Sequence, residues 1–283
     1  MKRILVPTDF SGNAYSALLY ACKLYSKENV HFAILHSFEA ELSQLTSRVD
    51  VGRSDEMLKT LTDNAEQDGQ RLLDQLNVDK GPSNHTYEVI ATPQPLLKII
   101  NEMISEDVVD LVVVGSKGRT GAEGVLIGST AINVTEGIEG CPLLIVPNDV
   151  HFVIPRKIAF ASDFNDFYPI STIKAITRLV RHFGSEIYLA HVGSENELEA
   201  HQRENMEKYE NDLSEYEHYF RFLERKGNIS GTLHDFADDE SIDLFSLVYH
   251  KHAFLKKIFR EPVVNRVGRH TNIPTLVIPF PNK

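Results

Sequence analysis

Short runs of Val, Ile, Leu and Phe recur along the chain, each closed by a small, hydroxylated or acidic residue. RILVPTDF begins at Arg3, AILHSF ends at Phe38, VDLVVVG ends at Gly115 and CPLLIVP ends at Pro147. Apolar runs this short suit strands that are buried on both faces of a parallel sheet. Between them the period changes. Ala14, Leu18, Ala21 and Leu24 fall three or four apart within residues 11–27, and residues 55–76 and 95–104 read likewise. With a further strand at residues 86–91, strand and helix alternate. That order predicts an α/β domain of five parallel strands joined by right-handed crossovers.

The pattern then repeats. RILVPTDF at Arg3 matches KIAFASDF at Lys157, an offset of 154. His36 of AILHSF matches His191 of YLAHVG at 155, Asp110 of VDLVVV matches Asp243 of IDLFSL at 133, and Pro142 of CPLLIVP matches Pro274 of IPTLVIP at 132. Four landmarks in one order indicate an internal duplication. The expected domains are residues 1–148 and 155–283, each a Rossmann-like sheet of strand order 3-2-1-4-5. The offsets fall from 155 to 133, so the second half lacks 22 residues between its second and third landmarks. There GTLHDF, from Gly231, reads as a strand followed almost at once by IDLFSL. A parallel crossover needs a dozen or more residues, so the third helix of the second half is expected to be shortened or missing. Residues 195–226 read as a solvated, charge-rich helix, either continuous or broken in two.

Composition narrows the function classes. The 283 residues are 42% hydrophobic and 24% charged, with net charge -11 and mean hydropathy -0.21. No apolar run approaches the ~20 residues of a membrane helix, and MKRILVPTDF is too short in apolar residues for a signal peptide. Two cysteines, Cys22 and Cys141, make no disulfide framework. A cytoplasmic protein is expected, with neither membrane nor nucleic-acid partners, since an acidic chain lacks the basic face that displaces phosphate counterions.

The chemistry concentrates in VDLVVVGSKGRTGAEGVLIGSTAINVTEG. Gly115 ends a strand, Gly118 follows after two residues, and Gly128-Ser129-Thr130 opens a helical run. Glycines let a ligand approach the backbone, and a helix start presents N–H groups and a positive dipole end, together an anion site. Ser129 and Thr130 hydroxyls add donors, and Lys117 and Arg119 add charge. Neither a P-loop nor the dinucleotide fingerprint is present. Ligands of open α/β sheets sit beyond the carboxyl ends of the strands where chain order reverses. Asp9 and Gly115 are therefore expected to face each other across one crevice.

At these residues the chain resembles the ATP-binding branch of the universal stress protein family. PTDFS, the LH that ends the second strand, Gly115-x2-Gly118-x9-Gly128-Ser129 and CPLLIVP carry the likeness, which covers the first half almost end to end. The resemblance implies an ATP or AMP pocket, with Mg2+ as the ion that would accompany the phosphates, and a regulatory role in stress survival rather than catalysis. It places Pro7, Thr8 and Asp9 on adenine and ribose and Ser37 beside the base. Gly115, Lys117 and Gly118 would line the phosphate loop, and Gly128, Ser129 and Thr130 would hold the phosphates. Ala91 and Ser37 depart from the family, which often has Gly and an apolar residue there. The last strands resemble the family's dimerising edges, so the two halves are expected to pair through them, with a homodimer as a further option. The alternatives are a slow ATPase or self-phosphorylation on Ser129 or Thr130, and an interaction module with an empty pocket.

The second half keeps Ser162 and Asp163, but Val248 and Lys251 stand for Gly115 and Gly118, and Arg260-Glu261, followed by Pro262, for Gly128-Ser129. A glutamate repels phosphate and a proline lacks an N–H, so no nucleotide is expected there. Plainer readings stand beside these. Asp9 and Ser11 suit helix N-caps, Lys117 suits a solvated loop, and His36 and His191 suit satisfied core positions. His250-Lys251-His252 suits a surface loop, Asp238-Asp239-Glu240 a solvated face, and Cys22 a helix core position.

Overall fold

The computed structural model describes residues 1–46, 54–106, 108–118, 128–148, 150–249 and 273–280. They divide into two compact units, Met1–Phe152 and Val153–Lys283. The first unit runs β1 (Lys2–Pro7), α1 (Gly12–Leu24), β2 (Val30–Ser37), α2 (Glu39–Thr46), α3 (Ser54–Asp79), β3 (Thr86–Thr92), α4 (Leu96–Ser105), β4 (Leu111–Gly115), α5 (Ser129–Gly137) and β5 (Leu143–Val146). Its strands lie in the order β3-β2-β1-β4-β5, all parallel. Ile4, Leu5, Val6, Phe32, Ile34, Val112 and Leu143 are fully buried, as expected of strands covered on both faces.

The second unit runs β6 (Lys157–Ala161), α6 (Lys174–Phe183), β7 (Glu186–Val192), α7 (Ala200–Asp212), β8 (His218–Leu223), α8 (Ile229–Glu240), β9 (Leu244–Tyr249) and β10 (Thr275–Pro279). Within it the order is β10-β9-β6-β7-β8, all parallel, which is again 3-2-1-4-5. The fold class is as the sequence predicts.

Small details of the duplication recur as well. Arg3 donates its N–H to Asp110 Oδ2 at 2.9 Å, and Lys157 donates its N–H to Asp243 Oδ2 at 2.9 Å. Each aspartate returns its own N–H, to the Arg3 and Lys157 carbonyls, at 2.9 Å. The third landmark keeps its aspartate because it tethers the start of one strand to the next.

The expected loss of the third helix is wrong. GTLHDF lies inside α8, which has 12 residues against 10 in α4. Asn228 caps it by accepting the Gly231 N–H at 2.7 Å, and the buried Leu233, Phe236 and Ala237 follow helical spacing. A six-residue apolar pattern does not separate strand from helix; the asparagine three residues ahead does. The strand is instead HYFRFL of β8, hidden inside the segment expected to be solvated helix, whole or broken in two. All six of its residues are half-buried, so it lacks the signature of a covered strand. The missing residues come from the second crossover, where α2 and the 26-residue α3 are replaced by the 13-residue α7.

Burial also sets a pH dependence. His85 is buried, its Nε2 lies 3.1 Å from the Cys22 carbonyl oxygen, and its Nδ1 has no partner among the described residues. Burial pushes its pKa down, and the charge of Lys80 adds to this against the hydrogen bond to Cys22. The unfolded chain titrates at about 6.5, so below that pH it binds more protons than the folded chain. Stability is full above about 6.5 and falls with acidification until the lowered native pKa is passed. Urea midpoints should therefore drop between pH 7.5 and 5.5, and less so in a His85→Gln chain, whose amide replaces the Nε2 donor without titrating.

Candidate functional site

The carboxyl ends of β1, β2 and β4 bring the candidate residues of the first unit together. Pro7 ends β1, paired with Leu35 of β2, and both Pro7 and Thr8 are buried. The Thr8 N–H continues the ladder to the Leu35 carbonyl at 2.8 Å. The chain then turns sharply, with Phe10 at φ 58°, a left-handed conformation that costs a bulky residue energy unless neighbours fix it. Two short-range bonds do so. Phe10 N–H donates to Thr8 Oγ1 at 2.9 Å, and Ser11 N–H donates to Asp9 Oδ1 at 3.0 Å. Ser11, not Asp9, caps α1, accepting the Ala14 N–H at 3.3 Å.

The glycine loop answers from β4. Gly115 ends the strand, and a Cβ there would lie 2.9 Å from the Asn13 carbonyl oxygen. The glycine admits the first turn of α1. Asp9 meets Gly118, where a Cβ would lie 2.9 Å from its Oδ2. Lys117 and Gly118 are half-buried.

Gly128 precedes α5 as its N-cap, and no side chain among the described residues caps that helix. The Gly128 N–H is committed to the Ser116 carbonyl at 2.7 Å, so it cannot serve phosphate as the sequence suggested. It docks the start of α5 onto the β4 loop instead. Ser129 and Thr130 occupy the first helical positions and are exposed, where helix geometry leaves amides without internal acceptors. Gly128 has an ordinary φ of -73°, and a Cβ there would meet nothing described closer than 3.4 Å. Neither conformation nor described packing demands a glycine.

At β2, Ser37 is half-buried and donates its hydroxyl to the Gln94 carbonyl at 2.6 Å, leaving that oxygen as an acceptor. A cleft of about 340 Å³ lies nearby between α1 and α3, bordered by Phe10, Tyr15, Arg71 and Gln75 among others; none of the ten candidate residues lines it. Arg119 lies outside the described residues, as do Lys251, Arg260, Glu261 and Pro262 of the second half. Among the described residues, no group of three or more His, Cys, Asp or Glu could hold a metal ion.

The second unit repeats the turn without the surroundings. Phe164 also stands at φ 58°, held by Ser162 Oγ at 3.1 Å, with Asn165 N–H on Asp163 Oδ1 at 3.0 Å. The Thr/Ser-Asp pair is therefore a turn device in both units. Here α7 takes over the loop: Gln202 Nε2 donates to the Asp163 carbonyl at 2.7 Å and Asn205 Nδ2 to the Phe164 carbonyl at 2.9 Å. Phe164 is fully buried. The first helix, α6, starts only at Lys174, and the buried Val248 stands at the register position that Gly115 holds in the first unit.

A profile of the universal stress protein family matches residues 1–147. Universal stress protein YxiE of Bacillus subtilis (strain 168) is 29% identical over 151 residues, spanning 51% of this chain and 98% of that protein. Across both units, a universal stress protein from Archaeoglobus fulgidus DSM 4304 superimposes with TM-score 0.66 at 16% identity, covering 98% of this chain and 96% of the other. A functionally unknown protein from Pseudomonas aeruginosa PAO1 does so with TM-score 0.55 at 14% identity, covering 99% and 92%. Those two likenesses concern the fold alone.

Proposed function

The chain belongs to the universal stress protein family, and from that premise we propose that its first unit binds one adenine nucleotide, ATP or AMP, in a regulatory rather than catalytic role. One observation carries the reading. The side-chain-uncapped start of α5, with Ser129 and Thr130 exposed, is docked on the β4 loop by the 2.7 Å bond from Gly128 to Ser116. The amides and hydroxyls of Ser129 and Thr130 receive the phosphates, helped by the helix dipole and Lys117. Gly118 lets the loop approach Asp9, whose carboxylate accepts from ribose hydroxyls. Pro7, Thr8 and Ser37 border the base.

Thr8 contributes mainly shape, because its N–H, carbonyl and Oγ1 already serve the turn. Mg2+, where it accompanies the phosphates, would be held mainly by phosphate oxygens and water. The second unit carries no nucleotide in this reading, because α7 and Val248 occupy the equivalent region.

Chain purified rapidly from its host and denatured should release an adenine nucleotide, identified by chromatography and mass. Release of a guanine nucleotide, or failure of both ATP and AMP to bind the emptied chain, would refute the proposal.

A further inference from the structure

His36 is the penultimate residue of β2 and is buried, 9% exposed. Its Nδ1 lies 2.9 Å from the Thr8 carbonyl oxygen. A carbonyl only accepts, so Nδ1 carries the proton and the ring is fixed in one orientation. Phe10, the residue held at φ 58°, lies against the same ring with centroids 4.7 Å apart. One side chain thus touches the residue before Asp9 by a hydrogen bond and the residue after it by ring packing.

The second unit reproduces this arrangement. His191 Nδ1 lies 3.1 Å from the Ser162 carbonyl oxygen, and its ring stacks on Phe164 at 5.3 Å. There the loop has the further anchors Gln202 and Asn205, and Asp163 faces solvent. The fold therefore uses the histidine as a clamp in both units. Among the described residues, the clamped segment presents its aspartate to a glycine loop in the first unit alone.

We infer that His36 is a positioning residue for nucleotide binding: by clamping Thr8 and Phe10 it sets the angle at which the Asp9 carboxylate meets Gly118 and the ligand. This rests on the nucleotide reading above. Hydrogen-bond geometry separates the role from simple core filling. Asparagine places its Nδ2 close to the position of Nδ1, glutamine reaches towards Nε2, and leucine fills the volume without a donor.

The test is calorimetric titration of ATP into full-length wild type and the His36→Asn, His36→Gln, His36→Leu and His191→Leu chains, with thermal midpoints measured alongside. The expected result is His36→Asn within about threefold of wild type, and His36→Gln and His36→Leu weakened by about tenfold or more, the scale of one lost buried hydrogen bond. His191→Leu should lower the thermal midpoint yet leave ATP affinity unchanged. Wild-type affinity in His36→Leu or His36→Gln overturns the inference, as does weakened binding in a His36→Asn chain of wild-type midpoint. Wild-type chain that binds neither ATP nor AMP overturns the nucleotide reading itself, and the clamp's role in binding with it.

Discussion

Gly115→Val is expected to destabilise the first unit by about 3 kcal/mol, the upper range for overpacking a close contact, and to abolish nucleotide binding. A Cβ at this position lies 2.9 Å from the Asn13 carbonyl oxygen and 3.2 Å from its carbon. Both are backbone atoms in the first turn of α1, so no rotamer change relieves the clash. Either α1 shifts or β4 loses its register with β5, where Gly115 pairs with Val146. For a unit of this size the loss should lower the unfolding midpoint by roughly 6–12 °C. The second unit supplies the internal control. Val248 pairs with Ile278 as Gly115 pairs with Val146, and it is buried, 6% exposed. Val248→Gly should therefore also destabilise, by removing a buried side chain. Opposite substitutions at matched positions would both be harmful, and calorimetry of the two chains would show it.

Gly128→Glu should leave the fold intact and eliminate nucleotide-dependent stabilisation. The built Cβ meets Lys117 Cα at 3.4 Å, an ordinary contact, so a side chain enters without moving backbone. A glutamate at a helix start is favourable to the macrodipole, and its carboxylate would take up the amides of Ser129 and Thr130 as a built-in anion. The variant alone should be as stable as Gly128→Ala or slightly more so. Ligand at a hundredfold excess over Kd stabilises a native protein by about 2.7 kcal/mol. That increment should appear in wild type, persist in large part in Gly128→Ala and vanish in Gly128→Glu. A Gly128→Glu chain that still shifts with ATP would place the phosphates elsewhere.

The sequence was legible where burial is complete. β1, β2 and β4 announce themselves because both faces are covered and almost every residue must be apolar. β8 was missed because all its residues are half-buried, so HYFRFL mixes aromatic and charged positions. α8 was misread because a run as short as GTLHDF reads equally as a strand when the Asn228 cap is overlooked.

Within the candidate site, Gly115 and Gly118 showed where the chain is closely approached but not what approaches. Gly115 admits α1, Gly118 meets Asp9, and Gly128 uses its own amide to dock a helix. His36 was visible as a letter repeated at offset 155 from His191. Only coordinates show that its ring bridges Thr8 and Phe10. A histidine recurring 28 or 29 residues after a recurring hydroxyl-Asp-Phe triplet is the signal that could have found it.

The most direct test is the stoichiometry of nucleotide on the intact chain. Equilibrium dialysis of labelled ATP against wild type and Gly128→Glu should give one nucleotide per wild-type chain and none per variant chain. Two per chain, or one that survives the glutamate, would contradict a single phosphate cradle at the start of α5.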